Sequence, residues 1–173
     1  MPIQRAKPRL VDLDQLPLTS VTSAMTIANL PTGSVVQTIT AKHTTQVTST
    51  SGTLIDTGLT GTITPTSASN KILVTVLQNG VYKDGSAAAG CEIQIFRGST
   101  SISAMAKRAG GDNGTGTAAT MSIGTVGASI LDTPNTTTST TYKTQFKSAS
   151  NASSVYVQVY GVDSTIILQE IAA

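Results

Sequence analysis

Few residues in this chain could do covalent or proton-transfer chemistry. There is one histidine, His43, in a threonine-rich segment, and one cysteine, Cys91. A single His leaves a Ser-His-Asp triad or a His-based metal site without partners, so His43 reads as a strand-surface residue. Cys91 opens the segment CEIQIFRG, whose inward positions are Ile93 and Ile95, and reads as a buried small hydrophobe rather than a reactive thiol. One cysteine also excludes an internal disulfide. The carboxylates Asp12, Asp14, Asp56, Asp84, Glu92, Asp112, Asp132, Asp163 and Glu170 are scattered and lie mostly in turns, where Asp ordinarily shapes the backbone. Nothing pairs two of them as the acid and base of a glycosidase. Asp112-Asn113-Gly114 lacks the ligand run of a calcium loop. Gly110-Gly111 is not followed by the Lys-Ser/Thr of a phosphate loop. The glycosylation-type tripeptides at Asn113, Asn135 and Asn151 arise by chance in a chain this rich in Thr and Ser. The expectation is no catalytic residue, no metal and no cofactor: not an enzyme.

The elements that position these residues read as strands. The 173 residues suit one domain plus a short extension. Charged residues make up 12% of the chain, about half the usual share, and aromatics 3%. Thr and Ser fill the gap, and β-branched residues favour a pleated surface over a helix. The net charge of +2 shows no basic stripe for nucleic acid. No apolar stretch approaches the ~20 residues of a membrane span, and MPIQRAKPRL lacks the apolar core of a signal peptide.

Along the chain, residues 1–32 carry Pro2, Pro8, Pro17 and Pro31, which break regular structure, and are read as an extended N-terminal arm. From 33 to 173, period-2 segments alternate with turns. In 53–65, Leu59, Gly61 and Ile63 alternate with threonines. Segment 71–80 is apolar on both faces, with Ile72, Val74 and Val76 on one and Leu73 and Leu77 on the other, as in a strand covered twice. A hairpin turns at Gly98-Ser99. The run 133–141 connects two sheets, and Tyr142 and Phe146 re-enter as core anchors. In 153–162, Val155, Val157 and Val159 alternate with Tyr156, Gln158 and Tyr160. The fold class is all-β: an antiparallel, jelly-roll-like sandwich of eight or nine strands.

The phrases NLPTGSVVQTITA (29–41), TLIDTGLTGTITPTSASNKILVTVLQNG (53–80), CEIQIFRGSTSI (91–102), ILDTPNTTTSTTYKTQF (130–146) and TIILQEIAA (165–173) together resemble a domain of tailed-bacteriophage virion proteins, cyanophages included. There the domain usually forms the distal knob of a tail fibre. The resemblance covers residues 29 to 173. It implies a trimeric jelly-roll sandwich, made in the host cytoplasm and carried on the virion, with no catalytic residues to transfer. A tail fibre is normally long, whereas only some 30 residues precede the knob here. That departure favours a homotrimeric capsid decoration (cement) protein gripping the major capsid protein, with a receptor-binding tail knob that recognises host surface glycans as the alternative. On the first reading Arg5, Lys7, Arg9, Leu10, Leu13, Leu16 and Leu18 of the arm grip the shell or a neighbour. Leu73, Leu77, Tyr156 and Tyr160 are trimer-interface candidates. On the second, Tyr82, Asp112, Asn113 and Asn135 mark receptor-facing loops. Neither reading involves nucleic acid or membrane insertion.

Overall fold

A computed structural model describes residues 30–84, 90–109, 124–149 and 154–173. The proposed arm contacts from Arg5 to Leu18, and loop residues Asp112 and Asn113, lie outside the described residues. The strands are β1 (Val35–His43), β2 (Val47–Ser49), β3 (Ile55–Ile63), β4 (Lys71–Lys83), β5 (Cys91–Arg97), β6 (Thr100–Ala109), β7 (Gly124–Asp132), β8 (Thr140–Ser148), β9 (Val155–Val157) and β10 (Ser164–Ile171), with a 3₁₀ turn at Val159–Gly161.

These segments occupy eight strand positions. β9 and β10 both pair antiparallel with β4, and β1 and β2 pair with β10 and β9 in turn. β9 and β10 are thus one strand line interrupted by an excursion, and β1 and β2 are another. The first sheet runs β1/β2, β10/β9, β4, β7; the second runs β3, β8, β5, β6. Along the chain every connection between strand positions changes sheet except the β5–β6 hairpin. Two antiparallel four-stranded sheets wound in this way form a jelly roll. The hydroxyl-rich run 133–139 carries the chain from β7 in one sheet to β8 in the other, as read from sequence.

The alternation of residue types sets the faces. In β3, Thr57, Leu59, Gly61 and Ile63 point inward and Asp56, Thr60 and Thr62 outward. In β4, Ile72, Val74 and Val76 are fully buried. Tyr142 and Phe146 are fully buried from β8 and anchor different parts of the interior. One hydrophobic cluster gathers Leu59, Ile63, Ile72, Val74, Val76, Ile95, Tyr142, Ile166 and Leu168. The other gathers Val81, Cys91, Ile93, Phe146, Val155 and Val157.

A buried polar chain links the two sheets. Thr57 Oγ1 meets Thr144 Oγ1, Thr144 Oγ1 donates to Gln78 Oε1 at 2.9 Å, and Gln78 Nε2 donates to Ser164 Oγ at 2.9 Å. Ser164 Oγ in turn accepts the Asn79 N–H at 3.0 Å. Thr57, Gln78, Thr144 and Ser164 are all fully buried. Each takes a partner from the next, so burial leaves these groups satisfied. The chain ends where the first sheet is most irregular.

At that point the expected continuous strand over 153–162 gives way. The β4 stretch from Leu77 to Tyr82 faces the longer stretch from Tyr156 to Thr165. The surplus residues leave the ladder as the excursion 158–163. Gln158 and Tyr160 adopt left-handed backbone, with φ of 55° and 62°. Gln158 is therefore buried although Val155 and Val157, with which it alternates, are buried too. Gly80 makes room for the turn: a Cβ there would lie 2.5 Å from the Val159 nitrogen, and its φ is +60°.

Candidate functional site

His43 and Cys91 are both packed into the fold. His43 is half-buried with its ring over Gly58, where a Cβ would come within 2.2 Å of Nε2; it is packed against the second sheet rather than lying on a bare strand surface. Cys91 is buried, and desolvation followed by the nearby Glu92 charge pushes its thiol pKa up to about 12. A thiol so disposed is inert at neutral pH. Among the described residues no three His, Cys, Asp or Glu side chains gather in a metal-binding group.

Two carboxylates that the sequence reading treated as scattered, isolated acids do other work. Glu170, on β10, is buried. Its Oε1 accepts from the Thr66 N–H at 2.7 Å, Thr66 Oγ1 at 2.8 Å and Asn70 Nδ2 at 2.7 Å. Its Oε2 accepts from Gln37 Nε2 at 2.6 Å. Burial is the largest single influence on Glu170 and opposes ionisation, but the donors Gln37, Asn70 and Thr66 together outweigh it and hold the carboxyl below its ordinary pKa. Asp132, at the end of β7, accepts from the Tyr142 hydroxyl at 2.7 Å and from Arg97 at 2.8 and 2.9 Å. Burial, then the bond to Asp132, pushes the Tyr142 phenol well above the usual tyrosine range. The phrases that carry the phage resemblance therefore meet at two polar clasps. VVQ, TPTSASN and LQEI meet at Glu170; IFR, LDTP and TTYK meet at Asp132.

The two sheets present opposite kinds of outer surface. The outer face of β3, β8, β5 and β6 is a charged, paired lattice. Lys143 Nζ lies 2.8 Å from Asp56 Oδ1, and Glu92 receives Gln94 at 2.7 Å, Lys107 at 3.3 Å and Lys147 at 3.5 Å. Partial burial works against ionisation of Asp56 and Glu92. Lys143 and Gln145 outweigh it at Asp56, and Gln94 with the two lysines outweighs it at Glu92, so both sit below the ordinary carboxylate range.

The outer face of the first sheet is aliphatic and hydroxylic. Among the described residues the exposed large hydrophobics are Val35, Leu77, Leu131, Tyr160 and Val162. All five sit on β1, β4, β7 or the excursion, and none on the second sheet. Leu77 and Leu131 are 47% and 50% exposed. Leu73 pairs in register with Leu131, and Ile171 with Val35. Half-buried Leu73, Ile167 and Ile171 alternate with the core residues of their strands. Thr75 and Ser129 join hydroxyls at 2.8 Å among them.

The sequence-derived interface candidates fall into two groups on this sheet. Leu73 and Leu77 stand in the aliphatic rows. Tyr156 stands farther along, its ring 5.2 Å from that of Tyr82, its cross-strand partner. Tyr160 projects from the excursion and is 82% exposed. Partial desolvation, then the charges of Asp84, Tyr156 and Tyr160, raise the Tyr82 phenol above its ordinary pKa. Asn135 is exposed in the β7–β8 connection with φ 52°, a conformation that Asn tolerates better than most residues. Sequence reasoning missed Leu131, Val35, Ile167 and Ile171. Each lies in the outward phase of its strand, a signal that becomes visible only when strand register is known.

No protein-family model matches the chain, and no curated protein matches it. Among solved structures it is similar to the infectious bursal disease virus VP2 subviral particle, at 13% identity and a TM-score of 0.45, covering 99% of this chain and 37% of that one. It is also similar to the structure of the Gx strain of that virus, at 15% identity and a TM-score of 0.38, covering 79% and 37%. A third similar structure is that of T=1 particles derived from infectious bursal virus, at 16% identity and a TM-score of 0.39, covering 81% and 37%. The chain spans little more than a third of the length of these chains. The jelly-roll assignment rests on the strand pairing itself.

Proposed function

We propose that the chain is a virion structural protein that works by contact: a homotrimeric decoration protein that packs against its own copies and against the capsid surface. The observation that carries this reading is the contrast between the two sheet faces. One is saturated with internal ion pairs, whereas the other leaves Leu77, Leu131 and Val35 in solvent. Large apolar side chains left exposed on one face cost roughly 25 cal/mol per Å² relative to burial and mark an interaction surface.

The occupant we assign to the aliphatic rows is a second copy of the chain. The neighbours of those rows along their middle, Thr38, Thr40, Thr75, Ser129, Thr165 and Gln169, are uncharged, and Lys71, across from Ile171, stands at one end. The uncharged middle imposes no repulsion on a second copy, and hydroxyl pairs of the Thr75–Ser129 kind can form across a symmetric contact. The number three comes from the phage resemblance. A trimer presents three identical contacts to the shell, so a weak single contact is multiplied. Binding the assembled shell and not its parts shifts the balance toward the intact particle. Residues Arg5 to Leu18 are assigned to the shell contact.

The test is the double variant Leu77→Lys/Leu131→Lys, made on exposed positions so that the fold survives. We expect an unchanged β-type circular dichroism spectrum and a subunit dissociation constant raised at least ~tenfold by sedimentation, a change of ~1.4 kcal/mol. Deleting residues 1–20 should leave the oligomer and abolish its co-sedimentation with particles. An oligomer indifferent to the lysines refutes the face assignment, and normal coating by the truncated protein refutes the arm assignment.

A further inference from the structure

Between the aliphatic rows and the tyrosine pair, the first sheet carries a shallow, solvent-open cleft. Gly124 of β7 leaves part of its lining free of side chains, Gly80 of β4 lies beneath the excursion, and Val159 and Val162 supply apolar lining. Asn79, Thr125 and Asp163 supply its polar lining. Tyr160 lines it while remaining almost wholly in solvent.

The polar residues are held in place before any ligand arrives. Asn79 Oδ1 accepts from Thr125 Oγ1 at 2.8 Å, and Asn79 Nδ2 donates to the Asp163 carbonyl. The amide thus ties β7 to the excursion while keeping a second N–H and a second lone pair to offer. Asp163 Oδ2 is engaged by Lys42 Nζ at 2.8 Å, which positions the carboxylate. Groups fixed this way lose little freedom on binding.

The excursion itself runs against stability. Gln158 and Tyr160 hold left-handed backbone that favours glycine, and both side-chain polar atoms of buried Gln158 lack a partner. Strain and unsatisfied groups persist where the surrounding structure uses them, and they concentrate at ligand clamps. Tyr160 adds nothing to the core, so its strained placement serves the surface.

We propose that this cleft binds a neutral pyranose sugar, with the Tyr160 ring stacked on its apolar face and Asn79, Thr125 and Asp163 taking its hydroxyls. A pyranose combines a flat C–H face with a rim of hydroxyls, which is the combination the lining offers. Asp163 is neutralised by Lys42, so the lining offers no net positive charge to hold an anionic sugar. The inference does not rest on the assembly reading, since the cleft belongs to a single chain.

Full-length protein is titrated calorimetrically with the methyl glycosides of glucose, galactose, mannose and N-acetylglucosamine, with glucuronate as the anionic control. A polysaccharide of the best-bound monomer forms a separate arm. At least one neutral glycoside should bind saturably and more tightly than glucuronate. Tighter binding of the polymer assigns the cleft to a glycan surface, and equal binding assigns it to the free sugar. Tyr160→Phe should keep affinity within about threefold, whereas Tyr160→Gly should weaken it at least about tenfold. Glycine suits the backbone at this position, so a melting temperature at or above the parent's shows that the variant is folded. Failure of every neutral glycoside to bind, or undiminished binding by Tyr160→Gly, overturns the proposal.

Discussion

Thr144 shows how much depends on single hydroxyls in a core with few aromatics. Its Oγ1 donates to Gln78 and meets Thr57, all in full burial. Thr144→Val keeps the shape and removes the hydroxyl, leaving the Gln78 carbonyl oxygen without its donor. A buried acceptor left unpaired costs about 1–3 kcal/mol, and urea denaturation should show a loss of that size. A loss below ~0.5 kcal/mol would mean that water or a rotated Gln78 replaces the bond. This polar chain was not legible in the sequence. Thr57 and Thr144 sit in the inward phase of their strands, which the alternation reveals, but their meeting depends on how the sheets face each other. Glu170 and Asp132 were likewise seen as isolated acids, because their donors lie far away in the chain.

At the scale of elements, the period-2 reading did most of its work in β3, β4 and β8, where the inward residues Leu59, Val74 and Phe146 are buried as their positions require. The same reading failed at Gln158, because a strand that leaves its ladder loses the period. Only Gly80, opposite the departure, hints at it, and an isolated glycine in a strand is an ambiguous sign of a bulge. Gly80→Ala tests how tightly the two are matched. Its Cβ would strike the Val159 backbone and the Val162 side chain, at a φ unsuited to alanine. A destabilisation of at least ~1–3 kcal/mol is expected, measured by thermal unfolding. Gly98→Ala serves as the comparison, since its φ is also positive but no atom lies within 4 Å of its added Cβ. The Gly80 variant should lose more.

For the whole molecule, pH reports on the clasps. Glu170, Asp56 and Glu92 all have folded pKa values held below their ordinary ones. A depressed carboxyl contributes stability that is complete above its unfolded value, near ~4, and is lost as pH falls through the lower folded value. The urea midpoint should therefore hold steady from neutrality to about pH 5 and drop below ~4. Glu170→Gln should lower the midpoint at neutral pH and flatten the acid limb; an acid limb as steep as the parent's would remove Glu170 from this account. Tyr142 sets the alkaline side. Its raised phenol favours the folded state below the ordinary tyrosine pKa, and that advantage fades as pH climbs through the folded value.

β10 is the last strand in the chain, yet it lies between β1 and β4, paired along both edges. During synthesis β1 and β4 emerge first and wait without the strand that separates them. The Gln37, Thr66 and Asn70 donors wait with them for a carboxylate made more than a hundred residues after Gln37. A growing chain that exposes open strand edges is prone to pair with other chains. A ribosome-stalled product ending before residue 164 should therefore be protease-sensitive throughout, with protection arriving in one step once β10 has cleared the exit tunnel.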